Sequence, residues 1–260
     1  MADTEIRNDH QRVLFITQQD PFYIRVFFEE FLKSYPGISR ILGVVICPTM
    51  AKRSLPKLVK QMYNFYGFRD FLRMALRYFM ARIKRGTLKN LLRNHRVSVF
   101  KEPDINSDAF LDFCRRQEPD IIVSVAAPQV FREKLLSLPK WGCINIHHSK
   151  LPQYRGMMPN FWQMFYDEET AGITVHSINL RIDEGKIILQ REIPIIKGES
   201  LDSLIKRSKR IGAHCVIEAL DLIREDKVSY LPNNPEKGSY FSFPDRKDVL
   251  AFRRKCKKIL

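Results

Sequence analysis

"WGCINIHHSKLPQYRG" (Trp141–Gly156) is the stretch on which the fold turns. Its first half reads as a strand, because Ile144 and Ile146 alternate with Asn145 and His147. The isoleucines therefore share one face and the amide and imidazole share the other. Its second half is a loop punctuated by Pro152 and Gly156. A buried strand that ends in polar side chains fits an open parallel sheet, where ligands gather beyond the carboxyl ends of the strands.

Upstream, Arg12–Thr17 (RVLFIT), Ile41–Cys47 (ILGVVIC), Arg96–Lys101 and Asp120–Val125 (DIIVSV) read as further strands. Between them Pro21–Tyr35, Asn106–Gln117 and Phe131–Leu136 read as helices. Apolar strands separated by helices predict an α/β fold, a mostly parallel twisted sheet covered on both faces. Downstream, Gly172–Leu180 and Lys186–Ile195 read as a late antiparallel hairpin closed by a short turn, Asp183-Glu184-Gly185. Ser200–Arg224 predicts a long amphipathic helix, and few regular signals follow it. The expected organisation is a polar tail at 1–11, one catalytic domain over 12–225 and a basic extension over 226–260.

The chain of 260 residues carries a net charge of +15, concentrated in two places. Ala51–Arg96 holds thirteen Lys or Arg against Asp70 alone, and Arg246–Lys258 holds seven against Asp248 alone. Such patches predict a solvated basic face or a partner with negative groups. The first patch is a helical, aromatic-rich insertion at roughly residues 52–94. Leu58, Met62, Phe65, Phe68, Leu72, Ala75, Phe79 and Ile83 repeat at helical spacing, with Arg69, Arg73 and Arg77 along another face. Gly67 predicts a break between two helices. The apolar stripe is expected to dock on the domain; covering the active site, or peripheral membrane contact through residues 54–85, stays open.

Several classes are disfavoured. No run of about 18 apolar residues predicts a membrane span, and the first eleven residues lack the apolar core of a secretory signal. Five scattered cysteines without a CxxC pair predict free thiols, a cytoplasmic location and no metal. The turn after the first strand, QQDPFYI, has no glycine, which argues against a dinucleotide.

The candidate chemistry lies in Asn145, His147 and Asp183. A carboxylate brought beside His147 would orient the ring and raise its pKa, and an amide N–H could stabilise an oxygen gaining negative charge. Together they predict acyl-type transfer without a covalent enzyme intermediate. A nucleophilic triad built on Ser149 would require the strand to run past His148. The adjacent His147 and His148 point apart on a strand and make a poor metal pair. His176 sits mid-strand and reads as structural.

The pattern N-x-H-x-S-x-LP-x-YRG, followed by AGITVHSINLRIDEGKIILQ, resembles the folate-dependent formyltransferase family. That resemblance implies a Rossmann-like formyltransferase fold, 10-formyltetrahydrofolate as formyl donor, and Asn145, His147 and Asp183 as the catalytic residues. It further implies folate contacts, largely through backbone, at Pro128, Gln129, Val130 and Phe131 and at Asn179, Leu180, Arg181 and Ile182. Ser149 matches a serine that organises the loop. His148 and Lys150 depart from the family pattern and are expected to add polarity at the mouth of the site. The glycine-free first loop argues against a glycinamide ribonucleotide acceptor, and the stretch after Ile195 looks short for the C-terminal domain of methionyl-tRNA formyltransferases. The expected acceptor is a phosphorylated or otherwise anionic amine, most simply an amino sugar on a nucleotide. Methionyl-tRNA, with tRNA as partner, is the alternative. Formyltetrahydrofolate hydrolysis and a non-catalytic basic nucleic-acid-binding module are further ones.

Overall fold

A computed structural model describes residues 11–20, 22–48, 55–83 and 87–260. In chain order the elements are β1 (Val13–Gln18), α1 (Ile24–Ser34), β2 (Ile41–Cys47), α2 (Leu55–Ile83), α3 (Leu88–Asn94) and β3 (Val99–Lys101). Then come α4 (Asp108–Gln117), β4 (Ile121–Val125), α5 (Glu133–Leu136), β5 (Cys143–His147), β6 (Arg155–Gly156) and α6 (Pro159–Phe165). The chain continues with β7 (Thr170–Ser177), β8 (Ile187–Pro194), α7 (Leu201–Arg224), β9 (Tyr240–Phe241) and α8 (Arg246–Arg254).

Seven strands form one sheet in the order β3-β2-β1-β4-β5-β7-β8. The first five in that order run parallel, and β7 and β8 are antiparallel to their neighbours. The alternation seen in sequence sorts side chains between two cores. Phe15, Val123, Ile144 and Ile146 face a layer made by α1 and α7, in which Phe15 meets Phe31 edge-on at 4.9 Å. Leu14, Ile16, Ile122 and Cys143 face α4, through Phe110, Leu111 and Cys114. Both faces are therefore covered, as runs of apolar strand residues require.

Several expectations change. Residues 1–10 of the anticipated polar tail lie outside the described residues; Gln11, placed in that tail by sequence, is buried and donates from Nε2 to the Leu220 carbonyl at 3.2 Å. Beyond Arg224 the chain is built in, despite its weak sequence signals. Asp245 and Asp248 cap α8 reciprocally, and Phe252 stacks on Phe161 at 4.7 Å. β7 ends at Ser177 rather than Leu180, so residues 178–186 form a longer connection than a tight turn.

The apolar stripe of α2 does not dock as a unit. Gly67 adopts φ 67° and ψ 172°, which breaks the helical phase, so residues before and after it no longer share one face. Phe65 and Met74 are buried, whereas Phe68, Leu72, Leu76, Phe79 and Ile83 point outward. No helix among the described residues is long and apolar enough to cross a membrane.

Candidate active site

The site is assembled at the junction where the sheet turns from parallel to antiparallel. In the β5–β7 ladder Asn145 stands directly opposite His176, and His147 opposite Thr174. Residues so paired project to the same face, which places both imidazoles and the amide on one side of the sheet. Residues 178–186 fold back so that Asp183 reaches both rings. Its Oδ2 lies 3.5 Å from His147 Nδ1, and its Oδ1 lies 3.6 Å from His176 Nε2.

Four features hold that connection in place. Asp183 has φ 57°, a left-handed conformation that Asp tolerates better than bulky residues. Gly185 packs so closely that a Cβ there would stand 1.6 Å from the Ser177 carbonyl oxygen, which excludes any side chain. Asn233, beyond α7, donates from Nδ2 to the carbonyls of Asp183 and Gly185, each at 2.9 Å. An Arg155–Glu184 ion pair ties the same turn to the loop after β5.

Hydrogen-bond logic assigns the protons. His147 Nε2 faces the Tyr154 carbonyl at 2.9 Å and must donate to it, so the lone pair of the neutral ring is on Nδ1, facing Asp183. His176 Nδ1 donates to the Ser177 carbonyl at 2.8 Å, leaving Nε2 to accept from Asn145 Nδ2 at 3.2 Å. The amide of Asn145 is thereby fixed with its NH2 toward His176, and its second N–H remains for another acceptor. Asp183 Oδ2 accepts from the Gly156 N–H at 2.9 Å.

Electrostatics follow from burial. Burial pushes the His147 pKa down, and the opposing pull of Asp183 and the Tyr154 carbonyl does not restore it, while His176 and Lys209 push it further down. The resting ring is neutral, contrary to the upward shift anticipated from Asp183 alone. Burial would raise Asp183, but the nearby rings of His147 and His176, through the positive charge that either takes up, and the Gly156 N–H outweigh it and hold the carboxyl far below the usual range. A neutral imidazole with its lone pair beside an ionised carboxylate can take up a proton and have the resulting cation held at once.

The other anticipated residues fall in different settings. Ser149 is fully buried and donates to the Gln153 carbonyl at 2.7 Å across the loop. His148, expected at the mouth, points the other way: it is buried between Ser208 Oγ (2.8 Å) and Lys209 Nζ (2.7 Å) of α7. Lys150 is exposed and paired with Glu192. In the loop after β4, Gln129 binds the Ile105 N–H and the Pro103 carbonyl, and Phe131 is core. Pro128 is half-buried and Val130 exposed; on the opposite connection Asn179 accepts from the Arg181 N–H, and Leu180 and Ile182 are exposed. No group of three or more His, Cys, Asp or Glu side chains among the described residues is arranged to hold a metal ion.

Sequence reading takes His176 as structural, because its place opposite Asn145 depends on strand register across an antiparallel pair. Asn233 was invisible, since it acts on the turn from 50 residues away in the chain.

A mostly parallel α/β sheet with an amide, two imidazoles and one carboxylate around the end of its fifth strand is a Rossmann-like scaffold carrying groups that can accept and hold a proton. The chain belongs to the formyl transferase family, whose profile matches residues 83–220, just over half of its length and inclusive of every site residue but Asn233. Methionyl-tRNA formyltransferase of Geobacter sulfurreducens is 38% identical over 141 residues, covering 54% of this chain and 44% of that protein. The chain spans about half the length of most of the curated methionyl-tRNA formyltransferases that it matches. Among solved structures, the formyltransferase PseJ from Anoxybacillus kamchatkensis, in complex with UDP-4,6-dideoxy-4-formamido-L-AltNAc and tetrahydrofolate, is 27% identical with a TM-score of 0.50, over 63% of this chain and 84% of that one. Glycinamide ribonucleotide transformylase 1 from Symbiobacterium toebii shares the fold with a TM-score of 0.59 at 18% identity, over 86% and 93% of the two chains.

Proposed function

We propose that the protein is an N-formyltransferase that moves a formyl group from 10-formyltetrahydrofolate to a primary amine. The observation that carries this reading is the arrangement of His147 Nδ1, 3.5 Å from Asp183, beside an Asn145 amide locked by His176. The donor supplies, when bound, a formyl group on a leaving nitrogen. A folate fits the residues present: Val130, Leu180 and Ile182 expose apolar side chains on the two connections expected to hold its flat ring. The free N–H of Asn145 serves the carbonyl oxygen as charge develops on it. His147 takes the proton of the attacking amine at Nδ1, directly or through water, Asp183 holds the cation formed, and His147 returns that proton to the leaving folate nitrogen as its bond to the formyl carbon breaks.

For the acceptor, an amino sugar on a nucleotide or similar phosphorylated carrier is our first reading. Its support is the 27% identity to PseJ, which extends over most of that chain, together with a net charge of +15 suited to phosphates. Methionyl-tRNA is the second reading, supported by the identity to the Geobacter sulfurreducens enzyme. The test is an acceptor screen with 10-formyltetrahydrofolate, following tetrahydrofolate release, with a control lacking acceptor to expose hydrolysis. Turnover of an amino-sugar nucleotide, lost in His147→Ala, is the expected result. Activity only on methionyl-tRNA, or release without any acceptor, overturns the first reading; undiminished turnover in His147→Ala overturns the mechanism.

A further inference from the structure

Phe68, Leu72, Leu76, Phe79 and Ile83 recur at three- and four-residue spacing and form one row along the outer half of α2. Each is exposed, from 52% for Leu72 to 63% for Phe68 and Leu76. A contiguous row of large apolar side chains in the open marks an interaction surface rather than a stray exposed residue. Its flank is basic: Arg69 and Arg73 follow Phe68 and Leu72 by one position and are exposed. The helix is held to the body from its other side. Arg253 of α8 donates to the Tyr66 carbonyl at 2.6 Å and to Asp70 at 2.9 Å, and Arg77 pairs with Asp202 of α7 at 3.3 Å. The row is thus presented outward by a fastened helix.

We infer that this face of α2 seats the protein on an anionic lipid surface. Apolar side chains bounded by arginines are the pattern of a helix lying in the plane of a membrane interface, with phosphates meeting the cations and acyl chains meeting the row. Charge decides against a second copy of the chain. A two-fold contact sets a patch against itself, here Arg69 and Arg73 against their own copies. The sole acid of residues 51–96, Asp70, is buried and already engaged by Arg73 and Arg253. Nucleic acid would satisfy the arginines but leave Leu72, Leu76 and Ile83 in water, since aliphatic side chains offer a base no stacking face.

The inference is independent of the acceptor and is tested without turnover. The full chain is sedimented with vesicles of phosphatidylcholine alone or with about 30% phosphatidylglycerol, at low salt and at about 0.5 M NaCl. Binding is expected to the anionic vesicles, with at least about a tenfold loss in affinity in Phe68→Ser/Leu72→Ser/Phe79→Ser and a similar loss in Arg69→Gln/Arg73→Gln. Unchanged melting temperatures show that these surface variants fold. Equal binding to both vesicle types, or none to either, overturns the inference. So does a dimer in sedimentation equilibrium that the apolar variant dissolves, or tRNA binding lost with the arginines, where vesicles are not bound.

Discussion

Asn145 and His176 face each other across two antiparallel strands, and the amide Nδ2 donates to the ring Nε2 at 3.2 Å. That bond depends on a tautomer set one residue further on, where His176 Nδ1 donates to the Ser177 carbonyl at 2.8 Å. A backbone carbonyl thus determines, through one imidazole, which way the amide points. An Asn free to flip would present its oxygen, rather than its N–H, to a developing negative charge.

On the proposed function, His176 acts as a positioning residue. In His176→Phe, kcat is expected to fall about 10- to 100-fold, equivalent to about 1.4–2.7 kcal/mol, as expected for losing control of one oxyanion donor. The KM for the formyl donor should stay within about twofold, since binding groups are untouched. His176→Gln offers an amide oxygen to Asn145 and should recover part of the loss. Steady-state kinetics of the two variants decide it, and an unaltered kcat in His176→Phe removes the role.

The pH profile reports His147. Its pKa is lowered by burial, so the base form persists below the ordinary histidine range and the acid limb of kcat/KM is expected below pH 6.5. Asp183 pulls the ring upward, so Asp183→Asn should move that limb to still lower pH while reducing the rate. Stability has the same sign. Below pH 6.5 the unfolded chain binds a proton at this position that the native one refuses, so stability falls as pH drops from there toward the lowered native value. Asp183, held well below its ordinary range, keeps its contribution above about pH 4 and loses it only in stronger acid. An acid limb above 6.5 in the native enzyme would contradict the burial argument.

Much of this was legible in the residues. Alternation within CINIH put Asn145 and His147 on one face, and apolar runs gave the parallel strands and their order in the chain. What strand periodicity leaves out is register and folding back. His176 and Asp183 join the site only because β7 pairs antiparallel with β5 and its following connection turns over the face. His148 was misplaced although strand alternation points it away from His147: that α7 lies there to bury it is set by the tertiary fold. The outward turn of the α2 stripe needed the phase break at Gly67, whose position was legible but whose effect on the face was not.

The turn carrying Asp183 leans on a residue outside the family-matched segment. Asn233 satisfies two carbonyls of that turn, so Asn233→Ala should cost about 1–3 kcal/mol and loosen the carboxylate. The expected signature is a lowered melting temperature with a fall in kcat. Gly185→Ala should be harsher, because a Cβ overlapping the Ser177 carbonyl must displace the turn itself. Calorimetry beside kinetics checks both, and wild-type kcat in Gly185→Ala would show that the turn need not be held.

On the proposed function, Lys209 lowers the working range of His147 from behind. It is buried, its Nζ lies 2.7 Å from His148 Nε2, and no carboxylate of the described residues lies within ion-pair distance. Burial brings it down to about 8, partly opposed by Asp20, so it is still charged at neutral pH. That charge is one of the influences lowering both His147 and His148. Replacing it by an uncharged chain of similar length therefore has a direction: in Lys209→Met the acid limb of kcat/KM should rise toward pH 6.5, opposite to Asp183→Asn. The His148 lone pair left without its donor costs stability, about 1–3 kcal/mol, while removal of a buried cation offsets it, so the melting temperature does not test the idea. The limb does. Opposite displacements in Lys209→Met and Asp183→Asn establish that two charges on either side of His147 set its working range; a limb that ignores Lys209 would leave burial and Asp183 as the groups that set it.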